Sequence, residues 1–98
     1  MSHVYILRCE QNKWYIGHSR DIAQRIHSHM NKPKSGSKWT RMYKPIEVEA
    51  ILPGDIRRED ELTIAYMSKY GVDNVRGGKW ASPEIRKELP NIPEYIPS

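Results

Sequence analysis

Two tyrosines, an arginine and a histidine of this chain have the types and the spacing needed for acid–base and phosphate chemistry. Asp21, Arg25 and His29 are four residues apart, so on a helix they lie on one face. Tyr5 and Tyr15 each occupy the middle of a predicted strand, from which a hydroxyl can project toward that helix. Taken singly, these groups also fit a solvated side-chain ladder and core tyrosines. Several polar groups converging on one face favour a reactive site.

Carboxylates that could bind a metal ion are clustered at Glu59, Asp60 and Glu61, in a predicted helix. At least two of the three are expected to be solvated. One carboxylate that faces a basic site would be a ligand for a hard cation. A zinc site is not expected, because His27 and His29 point to different sides of a helix and the chain has neither a CxxC nor an HExxH motif.

A basic segment, "KPKSGSKWTRMYK" at residues 32–44, interleaves cations with Trp39 and Tyr43. Cations contact phosphates and aromatic rings stack on bases or sugars, so this composition is typical of nucleic-acid binding. The alternative is a flexible basic loop that binds nothing. The cations are Lys32, Lys34, Lys38, Arg41 and Lys44.

The charge of the chain is unevenly distributed. Its 98 residues suggest one domain with a net charge of +4. Residues 1–45 contain nine Lys or Arg and two Asp or Glu. Residues 46–98 contain seven Lys or Arg and ten Asp or Glu. A basic half indicates a polyanionic partner. No apolar run is long enough for a membrane span and no apolar signal core is present, so a cytoplasmic or nuclear location is expected.

The elements that must position these groups begin with two strands. "HVYILRC" at 3–9 is apolar on both faces, which predicts a central strand with Cys9, the lone cysteine, buried in it. "KWYIG" at 13–17 returns as the second strand of a hairpin. Ser19 is predicted to cap a helix from about Arg20 to Met30, whose core stripe is Ile22, Ile26 and Met30.

The remainder of the chain predicts one further strand and two further helices. "IEVEAIL" at 46–52 alternates Ile46, Val48, Ala50 and Leu52 inward, with the glutamates outward. Asp55 is predicted to cap a helix that ends near Tyr70, and residues 72–80 form a connection. "SPEIRKEL" at 82–89 predicts a short helix, followed by a Pro-rich tail. The order is ββαβαα, an α/β fold with a three-stranded antiparallel sheet flanked by helices.

These residues resemble the GIY-YIG nuclease family over positions 3 to 76. "HVY" at 3–5 stands for the first motif, with His3 and Val4 in place of Gly and Ile, and "YIG" is intact at 15–17. The family spacing also matches an arginine ten residues after the second tyrosine and a histidine one turn later. The family also has a metal-binding glutamate on a later helix and, in many members, an asparagine after that helix, and this chain has a residue of each type in the matching place. The matching residues are Tyr5, Tyr15, Arg25, His29, Glu59 and Asn74.

The resemblance implies roles for these residues. Glu59 would hold one divalent ion, Mg²⁺ or Mn²⁺, with Glu61 as the alternative ligand. Arg25 would stabilise the charge on phosphorus, and Tyr5 would act as general base toward water. Tyr15 and His29 would orient the water and the phosphate or relay protons, and Asn74 would support the site. His18 stands where several members have a lysine near the metal-bound water, and with Arg76 it joins the predicted DNA-binding residues.

The resemblance therefore implies a GIY-YIG-type endonuclease domain at residues 1–90, followed by a tail at 91–98. Its substrate would be duplex or branched DNA, cleaved by structure-specific cutting or nicking. A partner protein or a homodimer stays open, and no membrane association is expected. The alternatives are a non-catalytic nucleic-acid-binding module of the same fold and a protein-interaction domain.

Overall fold

The computed structural model describes residues 1–31 and 36–83. Within them the chain forms β1 (His3–Cys9), β2 (Lys13–Ser19), α1 (Ile22–Asn31), α2 (Lys38–Met42), β3 (Pro45–Pro53), α3 (Ile56–Tyr70) and β4 (Val75–Gly77). The strands make one sheet in the order β3-β1-β2-β4. The described parts of the chain contain no helix long and apolar enough to cross a bilayer. The predicted helix beyond residue 83 and the tail at 91–98 lie outside the described residues, so the domain boundaries stay predictions.

The predicted three-stranded antiparallel sheet is wrong in one respect. The pairs β1–β2 and β1–β3 are antiparallel, as expected. However, β4 adds a fourth strand in the described part of the chain, and it runs parallel to β2 with Trp14 opposite Val75. The sheet is therefore mixed. β4 is only three residues long and lies in the stretch predicted to be a connection, where hydrophobic periodicity carries little information.

β1 is one of the two inner strands of this sheet, and it separates two apolar layers. Val4 and Ile6 face α3, where they pack with Met67. Tyr5 and Leu7 face the opposite side, where α1 and α2 lie. Alternate side chains of a strand point to opposite faces, so a strand that is apolar throughout must be covered twice. The prediction of a central strand is confirmed, and Cys9 is buried as expected.

β3 departs from the predicted alternation because its pairing with β1 shifts twice. One shift lies opposite Ile6 and Leu7, and it places Val48 and Ala50 on different faces. The other lies near Arg8, where Ile46 remains 46% exposed instead of inward. An extra residue in one strand of a pair reverses the side-chain alternation beyond it.

α1 begins later than predicted. The carboxylate of Asp21 accepts a hydrogen bond from the Gln24 backbone N–H at 3.2 Å, so Asp21 and not Ser19 caps the helix. Ser19 instead accepts from the Asp21 N–H at 3.1 Å and closes the preceding turn. Ile22 and Ile26 pack as predicted, on the face of the sheet that carries Tyr5 and Tyr15. α1 therefore approaches the sheet with Arg25 and His29 directed toward β1 and β2.

Candidate active site

Tyr5 and Tyr15 lie side by side on the face of the sheet that α1 covers. Their ring centroids are 6.3 Å apart. Tyr5 pairs with Gly17 across β1 and β2, and a Cβ built on Gly17 would overlap the Tyr5 hydroxyl and ring. A residue opposite on an antiparallel pair shares the same face. Glycine at position 17 therefore leaves the space into which the Tyr5 phenol fits.

α1 completes a hydrogen-bonded group around the Tyr5 hydroxyl. His29 Nε2 lies 2.9 Å from Tyr5 Oη, and Arg25 Nε donates to the same oxygen at 3.4 Å. The His29 ring centroid is 5.4 Å from each tyrosine ring centroid. Residues three and four apart on a helix share a face, which is why one helix supplies both groups. The predicted convergence of Tyr5, Tyr15, Arg25 and His29 is observed.

The environment of both tyrosines favours the protonated phenol. Burial raises the pKa of Tyr5 well above its ordinary value, and neighbouring Tyr15 adds to the rise, while the Arg25 hydrogen bond opposes it. Burial also raises the pKa of Tyr15, against hydrogen bonds from Ser37 and Arg25. The charge of Glu59 raises the pKa of both tyrosines. A free phenolate at Tyr5 is therefore disfavoured at neutral pH.

His29 is neutral at physiological pH. Burial and the nearby Arg25 charge lower the pKa of His29 from 6.5 to about 4. Its side chain is 3% exposed, and among the described residues its Nδ1 has no hydrogen-bond partner. A neutral imidazole has one lone pair that can accept a proton. With its ring proton on Nδ1, His29 can therefore accept the hydrogen bond of the Tyr5 hydroxyl at Nε2.

This buried histidine predicts a loss of stability in mild acid. An unfolded chain binds a proton near pH 6.5, whereas the folded chain resists it until about pH 4. The neutral, buried imidazole therefore adds its full share to the free energy of unfolding above pH 6.5. As the pH falls from 6.5 to about 4, the free energy of unfolding decreases by about 2–3 kcal/mol. In chemical denaturation from pH 8 to pH 4, we expect the free energy of unfolding to fall more steeply for the wild type than for His29→Gln. Equal slopes would contradict the placement of His29.

Glu59 lies in the first turn of α3, where Asp55 caps the helix by accepting from the Arg57 and Arg58 N–H groups. Glu59 is 7% exposed, and its Oε1 lies 3.0 Å from His18 Nδ1. Burial raises the pKa of Glu59, although the hydrogen bond and charge of His18 oppose the rise. Glu61 in contrast is exposed and pairs with Arg58 at 3.4 Å. Of the two candidate carboxylates, only Glu59 is buried, and its charge is the one that acts on the pKa of both tyrosines.

The arrangement of these groups agrees with the comparison of the chain with known families. The model of the GIY-YIG catalytic domain matches residues 1–62, which contain every site residue described so far. The chain belongs to the GIY-YIG family. The match ends just beyond Glu59, so the mixed sheet's fourth strand lies outside it. GIY-YIG domains form a family of nucleases, and the nuclease assignment at family level is confirmed.

Several curated relatives belong to the UPF0213 group of proteins. UPF0213 protein YazA of Bacillus subtilis strain 168 is 36% identical over 44 residues, which are 45% of this chain and 42% of that protein. A UPF0213 protein of Limosilactobacillus reuteri is 28% identical over 69 residues, 69% of this chain and 70% of that protein. The chain spans about half the length of the Bacillus, Staphylococcus and Halalkalibacterium relatives that it matches. No solved structure matches the chain.

The donor chemistry of this GIY-YIG domain fits one hard divalent ion. Within residues 1–31 and 36–83 no group of three or more His, Cys, Asp or Glu side chains could hold a metal. A buried carboxylate such as Glu59, completed by waters and phosphate oxygens, is nevertheless how proteins commonly bind Mg²⁺. Glu59 is therefore the residue that would hold the ion.

Asn74 does not join the group at Tyr5. Its side-chain oxygen accepts from Lys13 Nζ at 2.7 Å, and its amide donates to the Tyr70 carbonyl at 2.8 Å. Tyr70 ends α3 while Glu59 lies in its first turn, so at 1.5 Å per residue the two ends are about 16 Å apart. Asn74 ties the end of α3 to β2, and its predicted supporting role at the site stays a prediction.

Two of the predicted DNA-binding residues are structural. Trp39 is 3% exposed, and its indole N–H donates to the Trp14 carbonyl at 2.9 Å. Arg76 is 2% exposed, and its guanidinium lies over the Trp39 ring at 4.8 Å. Burying a guanidinium is tolerated only when its donors are satisfied. Arg76 donates to backbone carbonyls at Val72, Val75, Ser82 and Pro83.

The other basic residues remain candidates for DNA contact. Lys38, Arg41 and Lys44 are exposed on and beside α2, whereas Lys32 and Lys34 lie outside the described residues. His18 is engaged with Glu59. Sequence reasoning missed Ser37, which caps α2 by accepting from the Thr40 N–H and also hydrogen-bonds Tyr15. The signal available for it was a serine just before an otherwise unassigned helical turn.

Proposed function

We propose that this GIY-YIG domain is a divalent-metal-dependent DNA endonuclease that hydrolyses phosphodiester bonds. The observation that supports it is the Tyr5 hydroxyl, held between His29 Nε2 at 2.9 Å and Arg25 Nε at 3.4 Å. The pKa of Glu59 and of both tyrosines is raised. Titratable groups with perturbed pKa values that share one site are typical of catalysis. A cytoplasmic or nuclear location belongs to the same proposal.

Tyr5 accepts the proton of the attacking water in this mechanism. As the water proton moves to Tyr5 Oη, the phenol's own proton passes to His29 Nε2, 2.9 Å away, and the negative charge developing on the phosphate offsets the burial and the Arg25 charge that otherwise keep His29 neutral. Tyr5 then never holds a free phenolate, which its raised pKa would disfavour. General acid–base groups must lie within hydrogen-bond reach of the proton they transfer. Tyr15 packs beside this pair, with its ring centroid 6.3 Å from that of Tyr5 and 5.4 Å from that of His29.

Arg25 stabilises the negative charge that develops on the phosphate oxygens, for which its planar guanidinium is suited. The water oxygen forms the new bond to phosphorus, the bond to the 3′-oxygen breaks, and the released 3′-oxygen takes up a proton from solvent water. A divalent ion held by Glu59, Mg²⁺ or Mn²⁺, would act as a Lewis acid that offsets charge on the phosphate and on the leaving oxygen. The exposed Lys38, Arg41 and Lys44 would hold the flanking DNA phosphates.

The test is a panel of duplex, single-stranded, flap and branched DNAs, each incubated with and without Mn²⁺. We expect cleavage of at least one duplex or branched substrate by the wild type in the presence of the ion. Arg25→Ala should lower the rate by about 10²–10³-fold, because it removes a charge aimed at the transition state.

Arg20→Ala is the matched control, since it removes an exposed arginine just before α1. It should change the rate by less than about threefold, because in the described residues Arg25, and not Arg20, is hydrogen-bonded to the Tyr5 hydroxyl. DNA binding by the wild type without cleavage of any substrate would contradict the endonuclease proposal and favour the non-catalytic binding module. Equal losses in both variants would contradict the role of Arg25.

A further inference from the structure

The contact between His18 and Glu59 connects β2 to the first turn of α3. His18 Nδ1 lies 3.0 Å from Glu59 Oε1, and a backbone hydrogen bond from His18 also reaches the carboxylate. Tyr15 and Gly17 face α1, so His18, as the next residue of the strand, faces α3. Its side chain is 36% exposed, against 9% for that of Glu59. The pair is thus anchored on the glutamate side and open to solvent on the histidine side.

The two atoms in contact are both donors for a divalent ion. Two ligand atoms that each lie about 2.1 Å from one ion, at a right angle to one another, are about 3 Å apart. The observed separation of 3.0 Å between His18 Nδ1 and Glu59 Oε1 meets this requirement without any movement of the backbone. An ion can therefore replace the shared proton of the pair.

We propose that His18 is a second protein ligand of the divalent ion at Glu59, so that the site is a mixed imidazole–carboxylate site. This inference rests on the proposed metal-dependent function. Mn²⁺ is the weakest binder of the first-row divalent series, whose members accept nitrogen as well as oxygen ligands, whereas Mg²⁺ is held by carboxylate, phosphate and water oxygens. The site then prefers Mn²⁺ to Mg²⁺. Since no third His, Cys, Asp or Glu joins the pair in the described residues, the remaining positions are filled by water and phosphate oxygens.

The experiment is a Mn²⁺ titration of the whole protein followed by electron paramagnetic resonance, with Mg²⁺ as competitor. Bound Mn²⁺ should show magnetic coupling to an imidazole nitrogen by pulsed measurement. His18→Gln should abolish that coupling and weaken Mn²⁺ binding at least about tenfold, while Mg²⁺ affinity changes less than about threefold. His27→Gln is the matched control, because His27 is exposed on α1 and contacts Asn31. It should leave both the coupling and the affinities unchanged.

A second variant covers the case in which His18→Gln disturbs the fold. His18→Asp replaces the nitrogen donor by oxygen, so it should retain an ion without nitrogen coupling and shift the preference toward Mg²⁺. Mn²⁺ bound by the wild type without nitrogen coupling would overturn the inference, and so would identical Mn²⁺ spectra of wild type and His18→Gln. Absence of any Mn²⁺ binding would also overturn it. If Glu59→Gln removes Mn²⁺ binding while His18→Gln leaves it unchanged, His18 is only a hydrogen-bond partner of Glu59. The inference is then wrong, and the proposed nuclease function stands.

Discussion

Glu59→Gln is expected to lower the rate of DNA cleavage by at least about 10³-fold, because a divalent Lewis acid supplies several kcal/mol of charge stabilisation that an amide cannot retain. DNA affinity should be unchanged or slightly higher, since a negative charge next to the phosphate is removed. The measurements are single-turnover cleavage with Mg²⁺ or Mn²⁺ and a binding titration without metal.

Glu61→Gln is the matched control for this substitution. It makes the same chemical change two residues later, on an exposed side chain paired with Arg58 at 3.4 Å. An exposed ion pair is worth little, so we expect cleavage within about threefold of the wild type. Loss of cleavage in Glu61→Gln with retention in Glu59→Gln would show that Glu61 holds the ion.

Stability separates a catalytic defect from unfolding in the Glu59→Gln protein. Burial raises the pKa of Glu59, so the charged form is destabilised in the folded chain at neutral pH. Without metal, we therefore expect Glu59→Gln to unfold at or above the wild-type temperature. An active-site charge that lowers stability is a common consequence of selection for activity.

The elements predicted correctly are those that local patterns determine. β1 is apolar on both faces and lies in the centre of the sheet, and α3 begins after Asp55 and ends at Tyr70. Asp55 has a capping side chain and Gly71 adopts a positive φ of 98°, which favours glycine. These signals are confined to a few neighbouring residues, so the sequence contains them.

Features that depend on distant packing were missed or misassigned. Trp39 and Arg76 have the composition of a nucleic-acid surface, but they stack on one another inside the protein. β4 has three residues and forms only by pairing with β2. Nothing in the segments themselves distinguishes a buried cation–aromatic pair from an exposed one, because the difference arises from the elements that cover them.

The candidate site shows the same division. The spacing of Arg25 and His29 is a property of one helix, so their shared face was predictable. The pairing of His18 with Glu59 joins a strand to a helix forty-one positions later in the sequence. Asn74 shows the converse, since its position in the family pattern did not reveal that it contacts Lys13 and the end of α3.

Tyr5→Phe should lower the cleavage rate by up to about 10⁴-fold, the upper range for a general base. The substitution keeps the ring that fills the space over Gly17 and removes only the hydroxyl between His29 and Arg25. DNA affinity should change little, because a general base acts on the attacking water and not on the bound DNA. The free energy of unfolding should fall by about 1 kcal/mol for the lost hydrogen bond.

Tyr66→Phe is the control, because Tyr66 is a partly buried tyrosine on the opposite face of the sheet, packed against Trp14. We expect it to cleave within about threefold of the wild type. Full activity of Tyr5→Phe would show that water is activated without this hydroxyl, and the relay to His29 would then be wrong.

The double variant Tyr5→Phe/His29→Gln distinguishes a relay from two independent contributions. If the phenol proton passes to His29 Nε2, as the 2.9 Å contact allows, each single variant breaks the same transfer. Groups that act as a unit are strongly non-additive. The double variant should then cleave no more than about threefold more slowly than Tyr5→Phe alone. A multiplicative loss in the single-turnover rate would mean that His29 acts on the phosphate or on the water separately from Tyr5.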